Sequence, residues 1–238
     1  ITQKWWFEQL EAFARKWPTS EDAPDAVVQL AISYELMGRL DDARAWYEQL
    51  AKNYSKTEGG MKAQGALRRL TLTGNKLTLS GKTLYQKDLA STQYNGKVLL
   101  VVFWASYAQP FTTDLPDIQQ VYTKYNKEGF EILGVNMDSD LTALGGYLKQ
   151  HGILWQSLRD APKEAGMQPG DFGYGIVSVP TMFLVNKQGI VEGGITTANL
   201  DFAVDALLKG KKLEDLQAPG SETTEEDSKT AEKSKSRD

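Results

Sequence analysis

Side chains able to carry chemistry are scarce in this sequence. The 238-residue chain has no cysteine and one histidine, His151. Without a thiol there is no disulfide, no thiolate nucleophile and no zinc–sulfur site. With a single imidazole, a catalytic triad or a histidine metal site has at most one such ring. Asn136, Asp138 and Asp140 set oxygen donors at alternate positions, as a calcium loop begins. The glycine and distal glutamate that complete such a loop do not follow, so these residues read as a strand-to-helix connection with an N-cap. His151 stands before Gly152 at a helix end, where a cation complements the helix dipole. GYLKQHG and GMQPGDFGYG lack the spacing and context of phosphate-binding glycine loops. Asn53-Tyr54-Ser55 has the form of a glycosylation acceptor, a pattern common by chance. No cofactor and no metal are expected.

One stretch stands out by its position. FWASYAQPF, residues 103–111, closes a strongly apolar run where a reactive centre would be expected. Yet Tyr107, Ala108, Gln109, Pro110 and Phe111 supply no thiol, imidazole or carboxylate. The elements around it follow a β/α pattern. LTLSGKTLYQKDLA alternates apolar and polar residues around a Gly-Lys pair and predicts a hairpin. KVLLVVFWAS, after Asn95-Gly96, is a continuous β-branched and aromatic run, typical of a strand buried on both faces. From Pro110, the stripe Leu115, Ile118, Val121, Tyr122, Tyr125 predicts a helix closed by Gly129. FEILGVNMD predicts a second buried strand, LTALGGYLKQHG a helix ended by Gly152, and WQSL a short strand. VSVPTMFLVN and IVEGGIT, joined by Asn186-Lys187-Gln188-Gly189, predict a second hairpin. A last helix runs from Asn199 to Leu208 with Phe202, Val204, Leu207 and Leu208 apolar. This order predicts a mixed sheet with helices on both faces.

The front of the chain is helical. In APDAVVQLAISYELMGRLDDARAWYEQLAKNYS, Val27, Leu30, Ala31 and Tyr34, then Ala43, Tyr47 and Leu50, recur at helical spacing. Gly38 separates the two helices, and Asp41 or Asp42 is a candidate cap for the second. Trp17-Pro18 ends an earlier helix, Ser20 or Asp22 starts the next, and Met61, Leu67 and Leu70 mark a third pattern. Leu30, Ala31, Tyr34, Gly38, Ala43 and Tyr47 together resemble a tetratricopeptide repeat. So short an array implies either further repeats before Ile1 or support from the second domain. Trp5, Trp6, Phe7 and Trp46 read as core, with a concave peptide-binding face as the alternative. The chain divides into helical repeats at 1–74, a β/α domain at 75–210 and a disordered polar tail at 211–238. It begins at Ile1, as a processed protein or a fragment would.

The back end resembles the thioredoxin fold in its TlpA/ResA-like (redoxin) branch. GKVLLVVFWAS matches the strand entering the active site, YAQPF stands where that branch has W-C-x-P-C, and VSVPTMFLVNKQG matches its cis-proline loop. The resemblance places the two cysteines of the family on Ala108 and Phe111, which can neither attack nor resolve a disulfide. The acid that thioredoxins often carry in the preceding strand falls on Val102. A peroxiredoxin comparison, on Phe111-Thr112-Thr113-Asp114, again replaces the nucleophile by Phe111. The resemblance implies a cis Val179-Pro180 bond and a peptide groove formed by Trp104, Tyr107, Phe111, Val179, Pro180 and Thr181. The alternative is that Phe111 simply fills the space of the lost thiol.

The expected function is a redox-inactive module that binds proteins or extended peptides in a bacterial cell envelope or periplasm. The alternative is a thiol-disulfide or antioxidant component whose cysteines lie elsewhere. A purely structural domain is a third reading. The net charge of −4 and the lack of a basic–aromatic block speak against nucleic acid. The run VLLVVFWA is too short to cross a bilayer.

Overall fold

A computed structural model describes residues 2–159 and 173–215. Four helices come first: α1 (Gln3–Lys16), α2 (Ala23–Leu36), α3 (Leu40–Asn53) and α4 (Glu58–Leu70). Each packs on the next in the sequence. Val27, Leu30, Ala31, Tyr34, Ala43, Tyr47 and Leu50 are buried together with Ala14, Trp46, Ala63 and Ala66 in one cluster. The alanines let the helices approach and the aromatics fill the gaps beside them. Thr57 caps α4 through its hydroxyl, and Gly38 takes a φ of 74° between α2 and α3. Asp41 and Asp42 lie inside the first turn of α3 rather than at its cap, which is Arg39. Trp46 is core, but Trp5 and Trp6 are not: they are 45% and 47% exposed, because among the described residues α1 packs through its Phe7–Leu10–Ala14 side.

The remainder is a seven-stranded sheet with helices. In chain order it contains β1 (Ser80–Thr83), β2 (Asp88–Ala90), β3 (Val98–Trp104), α5 (Gln109–Tyr125), β4 (Phe130–Asn136), α6 (Leu141–His151), β5 (Gln156–Arg159), β6 (Thr181–Val185), β7 (Val191–Gly194) and α7 (Thr197–Leu208). The strand order is β2-β1-β5-β4-β3-β6-β7. β3, β4 and β5 run parallel, and the remaining neighbours are antiparallel. β3 and β4 are central, and all seven residues of β3 are buried, as its apolar run requires. This is the mixed, helix-flanked α/β arrangement of the thioredoxin-like fold.

Three local expectations need correction. The first hairpin does not turn at Gly81-Lys82, which lie within β1. It turns at residues 84–87, where Gln86 takes a φ of 61° and the Thr83 hydroxyl accepts from the Tyr85 and Lys87 amides. Phe202 is 42% exposed, and α7 buries Leu200, Ala203, Val204, Ala206 and Leu207 instead. Residues assigned to the tail from 211 onward begin with a short 3-10 turn, Leu213–Asp215, whose Leu213 amide donates to Glu192 (3.3 Å). The tail proper, residues 216–238, and most of GMQPGDFGYG lie outside the described residues.

The two parts are stitched together. The link after α4 pairs with the β6–β7 hairpin: the Gly74 amide donates to Val191 O (2.8 Å) and the Val191 amide to Asn75 O (2.9 Å). Among the described residues no helix is long and apolar enough to cross a membrane.

Candidate functional site

β3 ends at Trp104, and the chain turns through Ala105–Ala108 into α5. Asp138, two residues past β4 and 2% exposed, holds this turn. Its Oδ2 accepts from the Ser106 amide (2.8 Å) and from Asn136 Nδ2 (2.6 Å), and its Oδ1 accepts from the Ser106 hydroxyl. A buried carboxylate stays favourable only with its lone pairs occupied, and here three donors converge on it. Asp140 is the N-cap of α6, accepting from the Thr142 amide (2.8 Å) and the Ala143 amide (3.3 Å). The connection reading of Asn136, Asp138 and Asp140 therefore describes their hydrogen bonds. What sequence reasoning missed is the link from Asp138 across to Ser106. Its only signal was a polar pair, Asn136 and Asp138, closing an otherwise apolar strand.

Ala108 is the N-cap residue of α5 and offers no side-chain cap. Three positions on, Phe111 is completely buried and stacks on Trp104 with ring centroids 4.8 Å apart. Tyr147 of α6 closes the cluster, 6.0 Å from Trp104 and 6.4 Å from Phe111 between centroids. Its hydroxyl hydrogen-bonds Thr112 Oγ1 (2.8 Å), and burial pushes its ionisation up, with the Asp138 charge adding to the effect and the Thr112 bond opposing it. His151 stacks on the outer face of Tyr147 at 4.2 Å. Room for Trp104 comes from Gly134 of β4: a Cβ there would lie 2.8 Å from the indole Nε1 and 2.2 Å from Ser157 Oγ. That indole donates to Ser157 Oγ (3.3 Å).

Val179-Pro180 is a cis bond. β3 and β6 pair with Phe103 opposite Thr181, so the same register carries Val179 and Pro180 alongside the turn at Ala105. Val179, Pro180 and Thr181 are half-buried, and Tyr107 is 72% exposed. The six groove residues thus split. Tyr107, Val179, Pro180 and Thr181 reach the surface. Trp104 and Phe111, with no exposed area, are interior and do not line a groove. Two apolar rings gain more by stacking inside than by facing water.

No side chain in this arrangement can attack a disulfide or a peroxide. Ala108 contributes a methyl group and Phe111 a sealed ring. Among the described residues no group of His, Asp or Glu side chains is placed to hold a metal ion.

Residues 74–193, half of the chain, match the AhpC/TSA family. The chain belongs to that family. Among its curated relatives, the thiol-disulfide oxidoreductase ResA of Bacillus thuringiensis subsp. konkukian (strain 97-27) is 28% identical over 113 residues, which are 48% of this chain and 60% of that protein. ResA of Bacillus anthracis is 30% identical over 114 residues, again 48% and 60% of the two chains. The match therefore spans less than two thirds of these relatives. Among solved structures, the thioredoxin domain of a thiol-disulfide oxidoreductase from Bacteroides vulgatus superposes with a TM-score of 0.51 at 21% identity, covering 57% of this chain and 97% of that one. That likeness shows the fold. This AhpC/TSA chain differs from a thiol enzyme in having no cysteine at all.

Proposed function

We propose that this AhpC/TSA protein is a redox-inactive binding module that holds extended polypeptide on the surface formed by Tyr107 and Val179–Thr181. One observation carries the reading. The thiol positions are filled by Ala108 and by Phe111 sealed on Trp104, while the cis-proline face beside them stays accessible. An exposed tyrosine beside a half-buried valine and proline supplies apolar contact area, and the loop backbone supplies hydrogen bonds to an extended chain. The helical layer, in this reading, is a tetratricopeptide-like unit that extends the interaction surface. The assignment to a bacterial cell envelope or periplasm follows the resemblance to the ResA-like branch.

Two assays test this. In the first, the protein is added to insulin and dithiothreitol, and the rate of insulin reduction is followed; it should equal the protein-free rate. Acceleration above that rate would overturn redox inactivity. In the second, binding of fluorescently labelled, reduced and carboxymethylated α-lactalbumin, an extended chain without thiols, is measured by anisotropy. Saturable binding that Tyr107→Ala or Val179→Arg weakens by roughly tenfold, the scale of one interface anchor, supports the surface. Absence of binding, or binding indifferent to both changes, refutes it.

A further inference from the structure

The last turn of α4 carries two arginines, Arg68 and Arg69. Arg69 is 7% exposed and turns its guanidinium toward the sheet part of the molecule. Its Nε donates to Tyr174 O (3.0 Å) and its Nη2 to Gly175 O (3.1 Å). Its other face forms a two-pronged pair with the Glu35 carboxylate of α2. Tyr47 of α3 donates to that carboxylate as well (2.8 Å), and burial, with the Glu35 charge, raises the ionisation of its phenol. Arg68 adds a bond to Gly173 O (3.0 Å). Three helices thus combine to point one planar cation at two successive backbone carbonyls.

The contact is made possible by two glycines. A Cβ at Gly65 would fall 2.6 Å from Gly175 N and 2.9 Å from Gly173 O. A Cβ at Gly175 would fall 2.3 Å from Lys62 O, and Gly175 itself has a φ of 55°. Backbone therefore lies directly on backbone here. The segment held in this way is the approach to the cis-proline. Tyr174 sets its ring edge against Phe103 of β3 (6.2 Å), Ile176 enters the main core, and Val179-Pro180 follows within a few residues.

We propose that Arg69 positions the cis-proline loop: held by Glu35, it fixes the Tyr174 and Gly175 carbonyls against α4, so the helical layer sets the shape of the surface that begins at Val179. The functional meaning rests on the proposed binding role of that surface; the positioning stands on the geometry alone. A lysine does not replace Arg69, because one ammonium cannot span two carbonyls and a carboxylate as the guanidinium fork does.

The test uses the full chain with Arg69→Lys and, separately, Gly65→Ala. The second change improves the helix propensity of α4 but pushes Gly175 away, so any loosening it causes is not a loss of helix stability. Chymotrypsin cleavage after Tyr174 is followed by mass spectrometry, alongside amide exchange in β6, β4 and α2. Tyr174 is buried in the native chain and should resist. Both variants should raise cleavage at this bond by roughly tenfold, with exchange rising at the start of β6 but not in β4 or α2. Unchanged cleavage in both variants would overturn the proposal. So would cleavage that rises only together with exchange in β4 and α2, since Arg69 would then support overall stability. These readouts need no bound peptide, so they stand even where α-lactalbumin binding fails.

Discussion

Phe111 stands where the resemblance to the redoxin branch implies a thiol; a ring fills that position, stacked on Trp104 and packed against Tyr147. Removing a fully buried phenylalanine costs the transfer of the ring and the cavity it leaves. Phe111→Ala should therefore lose about 3–5 kcal/mol of stability in urea unfolding. Tyr107, one turn away and 72% exposed, should change stability by less than about 0.5 kcal/mol on substitution by alanine. A large effect at Tyr107 would mean that it packs rather than presents. Tyr94 gives a second residue-level expectation. Burial, with the charges of Glu131 and Tyr122, pushes its phenol up to about 12. Above the ordinary tyrosine value of about 10 the unfolded chain loses this proton while the folded one keeps it. Stability from Tyr94 is thus complete below that value and is lost as pH rises toward 12. Urea midpoints should fall across this window, and Tyr94→Phe should flatten the fall. The absence of a thiol was legible from the sequence, since a cysteine count needs no structure. The burial of Phe111 was legible only as one of two readings, a filled thiol space or a groove wall, and that of Trp104 was not, because an aromatic beside a surface motif fits the interior as well as the surface until packing decides.

At the scale of elements, β4 makes room for the Trp104–Phe111 stack. Its Gly134 leaves the strand bare where the Trp104 indole crosses toward Ser157. Gly134→Ala would drive a methyl into both, and we expect relief to come chiefly from the indole leaving its stack with Phe111 rather than from Ser157 turning away. Overpacking of this kind costs about 1–3 kcal/mol. The expected signature is that loss together with red-shifted tryptophan emission, and an unshifted spectrum would mean that Ser157 alone gives way. The strands themselves were readable because their burial is nearly continuous: β3 is apolar along its whole length, β4 is interrupted only by Glu131 and Asn136, and no helical period competes. The end of α6 was readable for a similar reason, since Gly152 adopts positive φ at its C-cap; α5 instead ends at Tyr125, and Gly129 closes the 3-10 turn Asn126–Glu128 that follows it. The first hairpin turn was misread because Gln86, rather than a glycine, takes the left-handed position, supported by the Thr83 hydroxyl. α1 departs from expectation because its tryptophans look like core in a helical pattern, whereas among the described residues that helix packs through its Phe7–Leu10–Ala14 side.

At the scale of the whole molecule, the described residues form two apolar clusters, one among α1–α4 and one around the sheet. The sequence raised support from the second domain as one way to stabilise so short a helical array. It could not show where that support lies, because Arg69 and Gly175 are far apart in the chain and neither belongs to a periodic pattern. The contact between them is polar and buried, so its loss is asymmetric. Taking away Glu35 leaves Arg69 a buried cation without its counter-charge, at a cost of about 3–5 kcal/mol. Keeping an acceptor there, as in Glu35→Gln, preserves part of the hydrogen bonding and should cost less. With the link at residues 73–77 also paired to the β6–β7 hairpin, the native chain should unfold in one calorimetric transition. Glu35→Ala should split it, with α2 and α3 losing amide protection at a lower temperature than β3 and β4. Two transitions in the native chain would show that the clusters fold independently. A single transition retained in Glu35→Ala would mean that the backbone pairing at residues 73–77 couples them without help from the buried ion pair.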